Sequence, residues 1–214
     1  MKILVACEYS GRVRDAIRAA DYRQEHHVVS ADLLPCESKN PGFHYQGDAL
    51  DLAYGEHWDM MVAHPPCTYL ANSGVSWLHR QEGRWEKMRE GAEFFKHLLD
   101  APIDKIAVEN PIPHKYAVEI IGRKYDQLIQ PYQFGHCERK ATCLWLRNLP
   151  ELKPTNDVKA ETLQLPKSEA QRLHWLPPSP ERAKLRSLTY QGIADAMAMQ
   201  WTRGRHDIPQ EGGT

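Results

Sequence analysis

The chain has 214 residues, 42% of them apolar and 26% charged, an ordinary globular balance able to support one sizeable core with at most a small appendage. Its 27 basic and 28 acidic residues leave a formal net charge of -1, which neither demands nor excludes a nucleic-acid partner but requires any basic surface to be local. No apolar run approaches the roughly 20 residues that span a bilayer, so no membrane association is expected. Met1 leads straight into the strand-like Lys2–Ala6. The five cysteines are accordingly read as free thiols of a reducing cytoplasm.

In chain order, short apolar runs alternate with helical patterns, the signature of a mostly parallel sheet covered by helices. Strands are predicted at Lys2–Ala6, residues 27–31, a very short one ending near Gly47-Asp48-Ala49, residues 59–63, residues 105–109, residues 127–130 and residues 142–146. Helices are predicted at Arg12–Ala20, where Val13, Ala16, Ile17 and Ala20 form one stripe, and at residues 85–99, 116–122 and 189–201. Residues 147–187, rich in proline and charge, read as an irregular insert in a single domain of residues 1–201. A flexible tail is expected from 202 to 214. Cys137 and Cys143 with His136 lack a second ligand pair at metal-binding spacing, so no metal is expected there.

Ligands of a parallel sheet bind where loops leave the carboxyl ends of the strands. The unusual residues of this chain fall at such places: Cys7-Glu8-Tyr9-Ser10-Gly11, Asp32, Asp48, His64-Pro65-Pro66-Cys67 and Glu109-Asn110-Pro111. Free amides at the start of the first helix suit a carboxylate or phosphate, with Ser10 and Gly11 allowing close approach. Asp32 suits a ribose diol and Asp48 an adenine amine. Taken singly these have ordinary readings, since an acid after a strand more often caps a helix or forms a turn, and one glycine in such a turn is commonly turn chemistry. Two prolines stiffen the backbone before Cys67 and fix the direction of its side chain. An isolated free cysteine is usually an inert small hydrophobe, but one held outside a strand end is a candidate nucleophile. Glu109 places a carboxyl on the neighbouring strand end. The aromatic and basic stretch around Trp77, Trp85 and Arg84 reads as a surface that stacks bases and holds phosphates or as a packed lid, and the basic stretch containing Arg172, Arg182, Lys184 and Arg186 as a nucleic-acid contact or a solvated loop.

These residues resemble the cytosine carbon-5 DNA methyltransferases. Asp-Met-Met-Val-Ala-His-Pro-Pro-Cys, ending at Cys67, is similar to that family's strand leading into Pro-Cys. Val108-Glu109-Asn110 is similar to its Glu-Asn-Val motif, and Gly47-Asp48 to its adenine-contacting Gly-Asp segment. The stretch from Gly135 to Thr142 and the segment Tyr190-Gln191-Gly192-Ile193-Ala194 stand where two further motifs lie. The resemblance implies a Rossmann-like S-adenosylmethionine-dependent methyltransferase fold, an α/β fold with a mostly parallel sheet and helices on both faces. It implies Cys67 as nucleophile on cytosine carbon 6, Glu109 as the acid contacting the ring nitrogen, and Lys140 as the accompanying cation. Cys7, Ser10, Gly11, Asp32, Asp48, Pro66 and Gly192 would hold S-adenosylmethionine. Pro66, Asn110, Thr142, Arg172, Arg182 and Lys184 would meet the substrate: DNA as single strand or as duplex with a flipped base, or a free nucleotide.

The chain departs from the pattern at several positions. Tyr9 and Arg12 stand where the family has glycine, Lys140 and Thr142 replace an arginine pair, Ile193 replaces a late asparagine, and residues 147–187 replace a far longer target-recognition region. Small relatives of this kind occur in phages and prophages, which implies the cytoplasm of a bacterial or phage-infected cell. Two other functions remain open: methyl transfer to an exocyclic amine, which needs no cysteine, and a binding protein that keeps the fold without catalysis.

Overall fold

A computed structural model describes residues 1–177 and 179–202; the tail expected at the carboxyl terminus lies, from 203 onward, outside the described residues. The strands are β1 (Lys2–Ala6), β2 (His27–Asp32), β3 (His44–Gln46), β4 (Met60–Ala63), β5 (Lys105–Pro111), β6 (Gln127–Ile129) and β7 (Thr142–Arg147). They form one sheet in the order β3-β2-β1-β4-β5-β7-β6. The first five are parallel, whereas β7 runs antiparallel to both β5 and β6. The chain first builds outward from β1 through β2 to β3, then crosses back to add β4 and β5 on the other side. Strand order therefore reverses between β1 and β4, and the crevice at their carboxyl ends is where such sheets bind ligands.

Burial on both faces explains why the strands read as continuous apolar runs. Successive residues of a strand face opposite sides. Leu4, Ala6, Met61, Ala63, Ile106 and Val108 join one core with Trp145, beneath α2 (Ala49–Gly55), α3 (Arg84–Asp100) and α4 (Lys115–Ile121). Ile3, Val5, Met60, Val62 and Ala107 join the other, beneath α1 (Arg12–Ala20) and α9 (Gln191–Trp201). Trp145 is fully buried, its indole N–H donating to the Arg123 carbonyl at 3.1 Å and its ring meeting Phe95 edge-on at 4.8 Å. This is the Rossmann-like α/β fold expected from the sequence.

Three expectations need correction. Gly47-Asp48-Ala49 is not a strand tail: β3 ends at Gln46, and Asp48 caps the unanticipated α2 by accepting from the Leu50 amide at 2.9 Å. The 147–187 segment is partly helical, with α5 (Lys159–Gln164), α6 (Lys167–Ala170), α7 (Arg172–Trp175) and α8 (Pro180–Ser187). These helices are too short to show an apolar period. Third, Gly192 meets protein where a cofactor contact was expected. A Cβ there would lie 2.0 Å from the Phe134 carbonyl oxygen, and its N–H donates to His136 Nε2 at 2.9 Å. His136 is thus a neutral acceptor, and burial, reinforced by Arg12, holds its pKa below the ordinary histidine value.

Gly192→Ala is expected to destabilise the fold by roughly 1–3 kcal/mol, because backbone rather than a flexible side chain must give way. Thermal unfolding should show a midpoint several degrees lower; an unchanged midpoint would return Gly192 to a role outside packing.

Candidate active site

Strands β1 and β4 end level with one another, and β5 runs past them to Pro111. Ala6 of β1 is in register with Ala63 of β4, and Ala63 with Val108 of β5. The next residues, Cys7, His64 and Glu109, therefore form a row across the strand tips, separated by strand spacings of about 4.8 Å. His64 extends the register by donating its N–H to the Ala6 carbonyl at 3.0 Å. Antiparallel β7 pairs Glu109 with Leu144 and Pro111 with Thr142, which brings the start of that strand, rather than its end, to the site.

At the first tip Cys7 adopts φ +58°, a left-handed conformation uncommon for a side chain of this kind, and turns the backbone out of the sheet. Glu8 then folds under α1. Its buried carboxylate accepts from the Val13 amide at 2.6 Å and the Arg14 amide at 3.2 Å. The amides expected to receive a ligand carboxylate are thus satisfied from within the chain. Sequence reasoning saw an acid in this loop and missed that its reach matches the helix it precedes. Gly11 is the cap of α1 at φ +70°, and a Cβ there would strike Arg14 and Ser38 at 2.6 Å. It borders a separate shallow recess beside Asp15.

At the second tip Pro65 and Pro66 carry the chain to Cys67, whose carbonyl accepts from the Leu70 and Ala71 amides at 3.1 and 3.0 Å. The side chain is half-buried beside a cavity of about 620 Å³. This one cavity is bordered by Cys67, Glu109, Lys140, Thr142, Pro66 and Arg182 among the expected catalytic and substrate residues. Cys7, Ser10 and Asp32 border it as well, so most of the expected donor-side residues share the same hollow. One Asp32 oxygen accepts from the Leu34 amide at 2.9 Å.

The remaining expected residues lie elsewhere. Asp48 caps α2, although its charge helps raise the Cys7 thiol. Asn110 is buried, donating to the Pro111 carbonyl at 2.6 Å while its side-chain oxygen has no partner. Arg172 pairs with Glu138 at 3.1 Å and Lys184 with Glu37 at 2.8 Å. Of the three basic residues expected to meet substrate, only Arg182 borders the cavity. Arg186, part of the basic stretch expected to contact nucleic acid, also borders the cavity one helical turn beyond Arg182 on α8, and so does His64, which the sequence reading quoted only as part of its motif.

Helix α8 is strapped over the site. Tyr9 and Ser187 share a hydroxyl hydrogen bond at 2.9 Å, Lys140 Nζ donates to the Arg186 carbonyl at 2.6 Å, and Arg12 donates to the Thr189 carbonyl at 2.8 Å. Between them, the loop after β1, the approach to β7 and the insert enclose the cavity.

Charge is arranged around two centres. Burial pushes the Cys67 thiol up and Glu109 adds to this, while Lys140 and Arg186 pull it back. Burial also works against ionised Glu109, yet His64 and then Lys140 outweigh it and hold the carboxyl below its usual range. His64 Nδ1 lies 3.7 Å from Glu109 Oε1. Burial opposes charge on this ring, but Glu109 and more distant Glu8 prevail and raise its pKa.

No family model matches this sequence, and no curated protein matches it. The solved structures that resemble the chain include three methyltransferases. One is a protein named as a DNA modification methyltransferase encoded within an E. coli prophage, 11% identical over 73% of this chain and 52% of the other, with a TM-score of 0.46. The second is the Entamoeba histolytica methyltransferase EhMeth, 17% identical over 73% of this chain and 57% of the other, again with a TM-score of 0.46. The third is an antibiotic-related methyltransferase, 11% identical over 68% of this chain and 86% of the other, with a TM-score of 0.37. The chain thus aligns with little more than half the length of the first two.

Cys67 alkylation by iodoacetamide, followed peptide by peptide in mass spectrometry, should be slow at neutral pH and rise through the alkaline range. Glu109→Gln should accelerate it severalfold at fixed pH, and Lys140→Met should slow it. Rates indifferent to both changes would mean that the two charges do not act on the sulfur.

Proposed function

We propose that this chain is an S-adenosylmethionine-dependent methyltransferase acting on carbon 5 of cytosine in DNA, with Cys67 as nucleophile and Glu109 as the acid on the ring nitrogen. The observation that carries the reading is that a thiol and a carboxyl on adjacent strand tips border one cavity with a lysine beside them. A volume of about 620 Å³ lies within the range of small-molecule pockets and accommodates a nucleoside-bearing donor with one extruded base.

The residues present fit the methyl donor at its sugar end, where Asp32 ends β2 at the cavity wall. At its amino-acid end the α1 amides of Val13 and Arg14 are taken by Glu8. Among the described residues, the amides of Tyr9 and Ser10 donate no hydrogen bond and stand nearer the cavity. When bound, the donor supplies an electrophilic methyl group.

The chain's own residues supply the rest. Cys67 adds to carbon 6 of the ring and raises electron density at carbon 5. Glu109 protonates or hydrogen-bonds the ring nitrogen as negative charge develops there. Lys140 and Arg186 stabilise the thiolate that Glu109 and burial disfavour. Because the thiol sits in a recess roofed by α8, the base must be single-stranded or turned out of its stack, and Arg182 and Arg186 stand where its phosphates would pass.

A second reading has two observations in its favour. Glu8 fills the α1 amides and Tyr9 stands in place of a glycine, as in a scaffold that binds without transferring. Calorimetry with S-adenosylmethionine separates the two: saturable heat is expected, and none at millimolar donor would favour the scaffold. Asp32→Ala should weaken this binding about tenfold or more, the scale of a lost hydrogen bond to a charged group.

DNA containing 5-fluorocytosine, incubated with the donor, should form a covalent adduct with the unaltered chain and none with Cys67→Ser. An adduct that persists in the variant would remove Cys67 from the reaction.

A further inference from the structure

One group on the cavity floor has no place in the reaction as described. His64 is almost fully enclosed, its side chain 5% exposed, yet neither ring nitrogen has a hydrogen-bond partner. Buried polar atoms are normally paired; here Nδ1 faces Glu109 just beyond hydrogen-bond reach and Nε2 has no partner. The ring stands between two acids: Glu109 on β5, whose Oε1 is 3.7 Å away, and Glu8 on the loop after β1, which is committed to the α1 amides. Lys140, from the approach to β7, is the remaining charge acting on it. His64, Glu109 and Cys67 all border the one cavity, with the imidazole against the Glu109 carboxyl.

We infer that His64 and Glu109 share one ionisable proton, which His64 lends through Glu109 to the pyrimidine ring nitrogen when Cys67 adds. The inference rests on the function proposed above and deepens it. The balance is as follows. The sulfur of Cys67 bonds to carbon 6 and its thiol proton leaves to water in the cavity. The Nδ1 proton of His64 passes to the Glu109 carboxylate, leaving a neutral imidazole, and the carboxyl so formed gives that proton to the ring nitrogen as it receives the electron pair displaced from the ring double bond, so that Glu109 ends as the carboxylate it began as. When the sulfur later departs, the proton on carbon 5 leaves to water in the cavity, the sulfur takes a proton back from that water, and the ring nitrogen returns its own proton through Glu109 to His64. His64 touches no substrate atom and is a positioning residue that keeps Glu109 able to donate.

The physical reason for the arrangement is the mismatch between a carboxyl and neutral pH. Glu109 is held ionised by His64 and Lys140, so alone it has no proton to give. The neighbouring imidazolium, favoured by two acids, stores that proton well above the range in which a carboxyl would keep it. Proton transfer of this type contributes about 10²–10⁴ in rate.

Two measurements test this. In the first, His64 is titrated by NMR in the full chain with isotope-labelled histidine, its signal assigned by its loss in His64→Gln. Its midpoint should lie above the ordinary histidine value and fall below it in Glu109→Gln. An ordinary midpoint indifferent to Glu109→Gln overturns the inference, and because no substrate is involved, this outcome is separate from any failure of methyl transfer. In the second, adduct formation on 5-fluorocytosine DNA is timed for the unaltered chain and His64→Gln across pH. The ratio of the two rates cancels the titration of Cys67, which both carry. His64→Gln should be slower by roughly 10²-fold at neutral and mildly alkaline pH. The gap should close toward acid pH, where Glu109 holds its own proton, and DNA affinity should not change. A constant ratio at all pH values would reduce His64 to a structural part. Should His64→Gln fail to fold, the Glu109→Gln titration still decides.

Discussion

The site depends on the register of three parallel strands. Because Ala6, Ala63 and Val108 lie in one row, the chain positions that follow them emerge together, and Cys7, His64 and Glu109 become neighbours although more than a hundred residues separate the first from the last. A slip of one residue in β5 would turn Glu109 to the opposite face of the sheet. Apolar packing on both faces prevents that slip, since Ile106 and Val108 belong to one core and Ala107 to the other. The chemistry is therefore fixed by side chains that never meet a ligand.

Electrostatics within the row are a compromise. Enclosure penalises every charge there, yet the Glu109 carboxyl is pulled below its ordinary pKa and the His64 ring raised above its own because each compensates the other. Buried pairs of this kind are weak contributors to stability unless their geometry is close, and at 3.7 Å this one is not tight. Cys67 is left with a thiol that ionises reluctantly. Such a sulfur resists casual oxidation and alkylation.

Much of this was legible in the sequence. Helix α1 was given by its apolar stripe to the residue, and Cys67, Glu109 and Asp32 by their places after apolar runs that end in proline or acid. What sequence could not convey was where side chains turn after the strand ends. Glu8 looked like one more acid of a ligand loop, but a left-handed Cys7 swings it beneath α1. Gly192 looked like a cofactor glycine, but the space it leaves is filled by the Phe134 carbonyl. Arg172 and Lys184 make pairs the sequence did not announce, with Glu138 and Glu37, distant in the chain. Periodicity reports which face is apolar, and it is silent on pairings made across loops.

The reversed direction of β7 has a consequence for the segment that follows. A strand running against its neighbours delivers the chain to the wrong end of the sheet, at Arg147, on the side away from the cavity. There Leu152 enters the core, the Pro150 carbonyl accepts from the Trp201 indole at 2.9 Å, and Lys153 is bound by Gln200 at 2.8 Å, all beside the last turn of α9. The polypeptide must then climb the full height of the molecule before α8 can reach Tyr9 and Lys140. Most of the insert is thus a staircase whose length the sheet dictates, and only its top step, one eight-residue helix, is free to be shaped by whatever the cavity receives.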